Sequence, residues 1–389
     1  MAKSPVKPGK SVEARARQLR DRFAESGFTS IEPPILQPAD AFIDLSGENI
    51  RRRLFVVQGT AGEELCLRPD LTIPVARIHL QTRPGQAARY CYSGPSFRRA
   101  INGDPDNPGG EFYQAGIEAF GHSETETDME VLDLAISSLK NEGLDRLHLQ
   151  LGDPGLFRAV IENLDIPEFW RARLLRHFWR HDLSEGLEAA LTQSPQVSDG
   201  REALAAALSA LDRKAGSQLV GEVLALAGIE PVGGRKAEEI ASRFMERAAM
   251  NAAPLPDSAI DIVRSYLRIE GAPHEAFAAI RTLIDKAKLD LGSHLARLEE
   301  QIKAAEAAMR DAGNDPESVR FDTKFGRNLE YYSGFVFEIS DPRRPELRQI
   351  AGGGRYDRLM TGLGAKQAIA ATGCAIYVDR LIAATEQTK

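Results

Sequence analysis

The sequence has 389 residues, of which 43% are hydrophobic and 27% charged, with a formal net charge of −7 at pH 7. This length suits two or three domains, and the composition is that of a soluble globular protein. The acidic balance gives no support to a nucleic-acid partner, which normally requires a basic face.

The first third of the chain combines helical and strand-like patterns. Residues 11–26 are predicted to form an amphipathic helix that ends before Gly27. The prolines of segment 31–38 exclude a helix there and predict an extended chain. Between 54 and 121 the pattern indicates strands around one helix, with Pro74 in the first turn of that helix. The strands are predicted at 54–57, 64–67, 89–93 and 112–121, and the helix at 72–80.

The rest of the chain has helical patterns until strand-like patterns return near its end. Residues 123–142 have helical periodicity, and 155–310 become rich in alanine and leucine, with several helices and no convincing sheet. Strands are predicted at 319–322, 331–340 and 348–354, before a final helix that follows Ala375. Strand-rich ends around a helical middle predict an α+β fold, with one sheet domain interrupted by a helical insertion.

The strand at 112–121 places polar groups where a buried strand normally has none. Side chains alternate along a strand, so Gln114, Gly116 and Glu118 share one face, while the opposite face is mostly apolar. An amide and a carboxylate on either side of a glycine predict the floor of a site for a small polar ligand.

A second group of polar residues lies in CLRPDLTIP and SGPSFRRA. Asp70 and Thr72 stand where a strand passes into a helix, and they either hold an ammonium group or cap that helix. Arg98 or Arg99, at a strand end, either grips a carboxylate or phosphate or makes a surface ion pair.

Three further segments are ambiguous by themselves. Strand alternation puts Tyr332 and Gly334 on one face, shortly after Arg327, but adjacent tyrosines are more often core than ligand contacts. The glycines of AGGGRYDRL allow close backbone approach without matching a phosphate-loop pattern. His177 and His181 have a zinc-compatible spacing, but no glutamate follows the first histidine as in HExxH. We therefore favour the interpretation that they belong to a packed helix.

Cysteine use and hydropathy indicate the compartment. Cys66, Cys91 and Cys374 lie far apart and form no CxxC pair, so neither a disulfide framework nor a zinc site is predicted. The N-terminal segment is basic without an apolar h-region, and no apolar run approaches the ~20 residues that span a bilayer. We expect a cytoplasmic protein.

Five motifs, taken in their order along the chain, resemble those of a known protein family. LRPDLT, GPSFRRA with FYQAGIEAFG, GRNLEYYSGFVFE, AGGGRYDRL and ATGCAIYVDRL together resemble the catalytic domain of histidyl-tRNA synthetase, over residues ~10–150 and ~318–385. The resemblance implies a class II aminoacyl-tRNA synthetase-like antiparallel sheet domain. It places the core at 1–150 and 315–389 and a mainly helical insertion at 151–314, with no anticodon-binding domain.

The resemblance also implies a pocket for free histidine. Asp70, where the family has glutamate, would hold the α-ammonium with Thr72 and Gln114. Glu118 and Tyr332, with Tyr331 beside them, match positions that contact the imidazole. Arg98 and Arg327 match those that meet the carboxylate and, in the synthetase, the reacting phosphate. The implied histidine-binding set is therefore Asp70, Thr72, Arg98, Gln114, Glu118, Arg327, Tyr331 and Tyr332.

The positions that would serve ATP depart from the synthetase pattern. Ala100 stands where the family has a glutamate, and the connector INGDPDNPGG carries two aspartates where the family has arginines. Tyr377 replaces a glycine that leaves room for the nucleotide, although Arg380 remains. Adenylation depends on positive charge around the phosphates, so these changes predict loss of that activity.

A histidine site without nucleotide and tRNA functions resembles the regulatory subunits of ATP phosphoribosyltransferase. That resemblance implies a non-catalytic chain, with no cofactor or metal, that activates a short-form catalytic subunit and transmits histidine feedback inhibition. It also implies a dimer within a hetero-octamer. The alternatives are a truncated histidyl-tRNA synthetase or other histidine-adenylating enzyme, and a histidine sensor with a different partner.

Overall fold

The structure is a computed structural model that describes residues 10–43, 45, 50–100, 110–123, 125–178, 215, 218–219, 222, 253–326 and 331–386. The chain divides into two compact units. One comprises Met1–Ala159 with Tyr266–Lys389, and the other Val160–Ser265. The predicted insertion, 151–314, is longer than the second unit, because the helices after Tyr266 belong to the unit that contains the sheets.

The described strands are β1 (Thr29–Ser30), β2 (Leu36–Pro38), β3 (Phe55–Gln58), β4 (Glu64–Leu67), β5 (Ala88–Phe97), β6 (Glu111–Phe120), β7 (His148–Gly152), β8 (Glu270–Gly271), β9 (Val319–Asp322), β10 (Val336–Ser340), β11 (Gln349–Arg355) and β12 (Ala371–Tyr377). The described helices are α1 (Lys10–Glu25), α2 (Asp40–Ile43), α3 (Thr72–Thr82), α4 (Thr125–Asn141), α5 (Pro154–Asn163), α6 (Glu168–Phe178), α7 (Asp257–Leu267), α8 (Pro273–Ala287), α9 (Gly292–Asp311), α10 (Asp357–Gly362) and α11 (Val378–Glu386). Two 3₁₀ turns lie at Pro316–Ser318 and Pro345–Leu347.

Among the described residues, nine strands form the large sheet, in the order β1-β5-β6-β12-β11-β10-β7-β9-β8. The pairs from β5 to β7 are antiparallel, whereas β1 pairs with β5, and β7 with β9, in parallel. This mixed sheet with helices confirms the predicted α+β class. No convincing sheet was predicted between 155 and 310. That was wrong for β8, a two-residue strand that pairs with β9 at the sheet edge.

Helices cover the large sheet and bury its central strands. Helices α1 and α11 pack against β6, α4 packs against β11 and β12, and α9 packs against α4. The predicted amphipathic helix is confirmed as α1, whose apolar stripe is buried and consists of Val12, Ala16, Leu19 and Phe23. The buried carboxylate of Glu142 fixes α1 to the end of α4, because Arg15 and Arg22 each approach it at 2.6 Å.

A separate three-stranded sheet, the small sheet, has the order β2-β4-β3. Leu36 and Phe55 both lie opposite Leu67, so one face carries an apolar row from all three strands. In or beside this sheet are four exposed apolar side chains: Ile35 (42% exposed), Leu36 (50%), Val56 (50%) and Val57 (37%). Within the part of the chain that the structure describes, no helix is both long and apolar enough to cross a membrane.

Candidate functional site

One cavity brings together the predicted site residues. Asp70, Thr72, Arg98, Gln114, Glu118, Tyr331 and Tyr332 all line it. The eighth predicted residue, Arg327, lies outside the described residues, as do the connector 101–109 and His181. The lining is completed by Gly352, Tyr356, Gly373, Cys374, Ala375 and Tyr377. The neighbouring strands β6, β12 and β11 supply seven of the thirteen described lining residues of this cavity, which we call the ligand cavity.

Glu118 is the most enclosed acid of the ligand cavity, with 1% of its surface exposed. The Tyr92 hydroxyl donates a 2.9 Å hydrogen bond to Oε1, and the Tyr356 hydroxyl donates to Oε2. Burial raises the pKa of Glu118 to about 8, although hydrogen bonds from Tyr356, Thr72 and Tyr92 oppose the rise. The carboxyl is thus held in one orientation by two phenols, and it can accept a further N–H from a ligand.

Gly116 has a different role from the one its position suggested. A side chain at 116 would lie 2.4 Å from the carbonyl oxygen of Cys374 and 2.5 Å from the hydroxyl of Tyr92. Gly116 is absent from the cavity lining. The missing side chain therefore makes room for the tyrosine that orients Glu118.

Asp70, a second buried acid of the ligand cavity, has a carboxylate oxygen without a hydrogen-bond partner among the described residues. Its Oδ1 accepts a 3.2 Å hydrogen bond from the backbone N–H of Ile73 at the start of α3, so the predicted capping contact exists. Its Oδ2 is buried without a hydrogen-bond partner among the described residues. Burial raises the pKa of Asp70, and the nearby Arg98 opposes that rise. A buried carboxylate oxygen without a donor is costly, so a ligand ammonium would be well placed here.

Arg98 is the one cation among the described lining residues. Its Nε donates a 2.8 Å hydrogen bond to the carbonyl oxygen of Pro69, next to Asp70. Its guanidinium lies over the Phe112 ring, 5.2 Å from the ring centroid. A guanidinium held in this way can pair with a ligand carboxylate.

Three tyrosines form an aromatic wall of the ligand cavity. Ring centroids are 4.9 Å apart for Tyr331 and Tyr332 and 5.8 Å apart for Tyr331 and Tyr356. The predicted strand 331–340 was wrong for its first half, because β10 begins at Val336. The backbone N–H of Ser333 instead bonds to the carbonyl oxygen of Arg355 at 2.9 Å, which holds the two tyrosines against the sheet.

Sequence reasoning missed Tyr92 and Tyr356. Both bond to Glu118, yet Tyr92 is 26 residues and Tyr356 238 residues away along the chain. Alternation along β5 could have placed Tyr92 on the face of Glu118, but only with the register that sets Tyr90 opposite Glu118 and Tyr92 opposite Gly116. For Tyr356 the glycine-rich motif carried no signal beyond its place in the resemblance.

Known proteins match this chain over nearly its whole length. The histidyl-tRNA synthetase family model matches residues 7–229 and 217–381. An ATP phosphoribosyltransferase regulatory subunit of Allorhizobium ampelinum is 37% identical over 369 residues, which is 94% of this chain and 96% of that protein. One of Brucella canis is 36% identical over 381 residues, covering 97% and 96%.

The chain belongs to the ATP phosphoribosyltransferase regulatory subunit family. Its fold is also that of solved relatives. An ATP phosphoribosyltransferase regulatory subunit/histidyl-tRNA synthetase of Bacillus halodurans has a TM-score of 0.63 at 22% identity, over 99% of this chain and 82% of that one. A histidine–tRNA ligase subunit of Alicyclobacillus acidocaldarius has a TM-score of 0.58 at 22% identity, over 100% and 96%. The predicted class II synthetase-like fold and family are confirmed.

In this member of the regulatory-subunit family, aromatic and cationic groups surround Tyr377, which stands where the synthetase resemblance has glycine. Its ring stacks on Phe112 with centroids 5.6 Å apart, and the Arg380 guanidinium lies 4.6 Å from its centroid. Its hydroxyl accepts a 3.0 Å hydrogen bond from Gln349. Arg380 itself donates to the Gln349 carbonyl oxygen at 2.7 Å. The groups that could hold a planar base are therefore occupied by the protein's own tyrosine.

Replacing Tyr377 by glycine tests whether the ring alone prevents adenylation. We expect Tyr377→Gly to enlarge the space beside Phe112 and Arg380 without restoring catalysis, because the positive charge that phosphoryl chemistry needs is not restored. Histidine-dependent exchange of pyrophosphate into ATP by the variant should stay at the background rate measured without protein. Exchange well above that rate would mean that the remaining arginines suffice once the ring is gone.

The raised pKa of Glu118 predicts a pH-dependent stability. With a native pKa near 8 and an ordinary unfolded value near 4.5, the folded chain binds the extra proton between those values. This contribution to the unfolding free energy is complete below the unfolded pKa and is lost as pH rises through about 8. We expect wild type to lose about 2 kcal/mol relative to Glu118→Gln between about pH 6 and 8. Urea unfolding of both proteins, without histidine, measures this difference. The same change of unfolding free energy with pH in both proteins would contradict a raised pKa of the buried Glu118.

Proposed function

We propose that this chain binds free histidine in the ligand cavity and transmits feedback inhibition to a short-form ATP phosphoribosyltransferase catalytic subunit, at the first step of histidine biosynthesis. The catalytic subunit carries out the chemistry and requires this chain for activity. The regulatory role follows from the family, whereas the ligand and the inhibition are the proposal.

The observation that supports it best is the arrangement of charge in the ligand cavity. Asp70 offers an unsatisfied carboxylate oxygen, and Arg98 offers a guanidinium. Glu118, fixed by two tyrosine hydroxyls, offers an acceptor beside an aromatic wall. An amino acid with an ammonium, a carboxylate and a ring N–H complements all three. A ligand without the ring N–H would leave the buried Glu118 with an unmet acceptor, so analogues should be rejected strongly.

Inhibition through this cavity would be a coupling between two binding events. Histidine shifts the assembly only by its difference in affinity for the active and inactive arrangements, typically ~1–3 kcal/mol. By reciprocity, the catalytic subunit's substrates should weaken histidine binding by the same factor.

We further propose self-association as a dimer within a hetero-octamer, without tRNA, in the cytoplasm. The small sheet supports association with another chain, because its exposed Leu36, Val56 and Val57 would be stabilised by burial in an interface. A native mass that corresponds to eight chains with the catalytic subunit, and to a dimer for this chain alone or a multiple of it, is the expected finding.

The test is the activity of a short-form catalytic subunit with and without this chain, across a histidine series. We expect low activity of the catalytic subunit alone, strong activation by this chain, and inhibition of the complex by histidine. Activation without any histidine response would remove the proposed ligand role. No activation and no co-purification would favour a sensor with a different partner.

A second candidate is a histidine-adenylating enzyme, such as a truncated histidyl-tRNA synthetase. Three arginines favour it: Arg98, which lines the ligand cavity, Arg380, and Arg327, which lies outside the described residues. Against it, the Arg380 guanidinium lies over the Tyr377 ring and donates to the Gln349 carbonyl oxygen. Robust histidine-dependent ATP–pyrophosphate exchange by the isolated wild-type chain would favour this candidate.

A further inference from the structure

Tyr377 belongs to two environments at once. Its ring lies against Phe112 and Arg380, and the residue also lines the ligand cavity. Its hydroxyl accepts from Gln349 at 3.0 Å and from Nη1 of Arg98 at 3.5 Å. The hydroxyl therefore joins the closed aromatic stack to the cation of the ligand cavity.

The position of the Arg98 guanidinium is fixed from several directions. The Pro69 carbonyl oxygen accepts from its Nε, the Phe112 ring lies beneath it, and the Tyr377 hydroxyl accepts from Nη1. A free arginine side chain has many rotamers, and ordering it on ligand binding would cost affinity. Contacts that already hold the guanidinium before a ligand binds remove part of that cost.

We propose that the Tyr377 hydroxyl is a positioning group for Arg98, so that the residue filling the nucleotide space also sets the affinity of the cavity for a ligand's carboxylate. This inference rests on the proposed histidine site. Two properties of one side chain are thereby separated: the ring closes the stack, and the hydroxyl tunes carboxylate recognition. Tyr377→Phe removes the second property and keeps the first.

The test compares two ligands that differ at one group. Histidine carries the carboxylate, whereas histidinol has a hydroxymethyl group in its place and retains the ammonium and imidazole. Isothermal titration should show the dissociation constant of Tyr377→Phe for histidine raised about fivefold, with that for histidinol changed by less than about twofold. Only a positioning role for Arg98 predicts this selectivity, because general damage to the cavity would weaken both ligands.

Tyr113→Phe is the matched control. Tyr113 also uses its hydroxyl in a hydrogen bond, to Glu13 at 3.0 Å, but it is not among the residues that line the ligand cavity. Its removal should leave both ligands bound as in wild type. If Tyr377→Phe proves poorly folded, Gln349→Met removes the amide that holds the same hydroxyl, and it should give the same selective loss.

Two results would overturn the inference while leaving the histidine site intact. One is equal weakening of histidine and histidinol by Tyr377→Phe, which would assign the hydroxyl to packing. The other is unchanged binding of both ligands. If wild type bound neither ligand, the proposed function itself would fail and take this inference with it.

Discussion

Replacing Glu118 by glutamine is expected to raise the dissociation constant for histidine about 10- to 100-fold. A hydrogen bond to a charged group contributes ~1.5–3 kcal/mol, and the amide keeps the shape of the carboxyl while losing its charge. The loss should be seen by isothermal titration at a pH above 8, where the wild-type carboxyl is ionised. In the complex with the catalytic subunit, the histidine concentration needed for inhibition should rise by a similar factor.

The same substitution should leave assembly and activation intact, because Glu118 is enclosed within one chain by Tyr92 and Tyr356. Glu111→Gln is the matched control, since Glu111 begins the same strand and its side chain is exposed. Unchanged histidine affinity in Glu118→Gln would remove Glu118 from the ligand site. Loss of assembly together with affinity would indicate a structural effect instead.

Replacing Arg355 by methionine is expected to lower the free energy of unfolding by about 3–5 kcal/mol. Arg355 is buried and makes a two-point contact with Asp128, at 3.0 Å from Nε and 2.8 Å from Nη2. It also donates to the carbonyl oxygen of His122 at 3.2 Å. Without the guanidinium, Asp128 would remain buried, with Gln301 at 3.2 Å as a donor that cannot neutralise it. Chemical denaturation measures the loss.

A double variant separates the ion pair from simple packing. Arg355→Met with Asp128→Leu removes both charges and should be more stable than Arg355→Met alone, because no unpaired buried carboxylate is left. Lys303→Met is the control, because the Lys303–Glu299 pair is largely exposed and worth little. A single variant as stable as wild type would show that water reaches Asp128. Because the Ser333 N–H bonds to the Arg355 carbonyl oxygen and Tyr356 follows Arg355 in the chain, the single variant should also weaken histidine binding.

Features that neighbouring residues determine could be predicted from the sequence, whereas contacts between residues far apart in the chain could not. Gln114 and Glu118 were placed correctly on one face because alternation along β6 is local. The hydrogen bond from Tyr356 to Glu118 could not be predicted, since the two residues are 238 positions apart in the chain. Chain-wide order of motifs supplied the site residues through resemblance, and the structure places seven of the eight around one cavity.

The errors of sequence reasoning have physical causes too. Strand alternation failed at 331–335, because Ser333 and Phe335 pair with the backbone of Arg355 outside the regular ladder. Gly116 was interpreted as open floor, whereas the Tyr92 hydroxyl occupies the space of its absent side chain. The bulk of Tyr377 was predicted to fill the nucleotide space, but its contacts with Gln349 and Arg98 depend on tertiary packing.

Crystals of the chain exposed to histidine together with ATP and magnesium provide the most direct measurement. We expect density for histidine between Asp70 and Glu118, the Tyr377 ring still stacked on Phe112, and no nucleotide beside it. A triphosphate bound there in line with the carboxylate of the amino acid would contradict the account, because this chain would then be built to activate histidine.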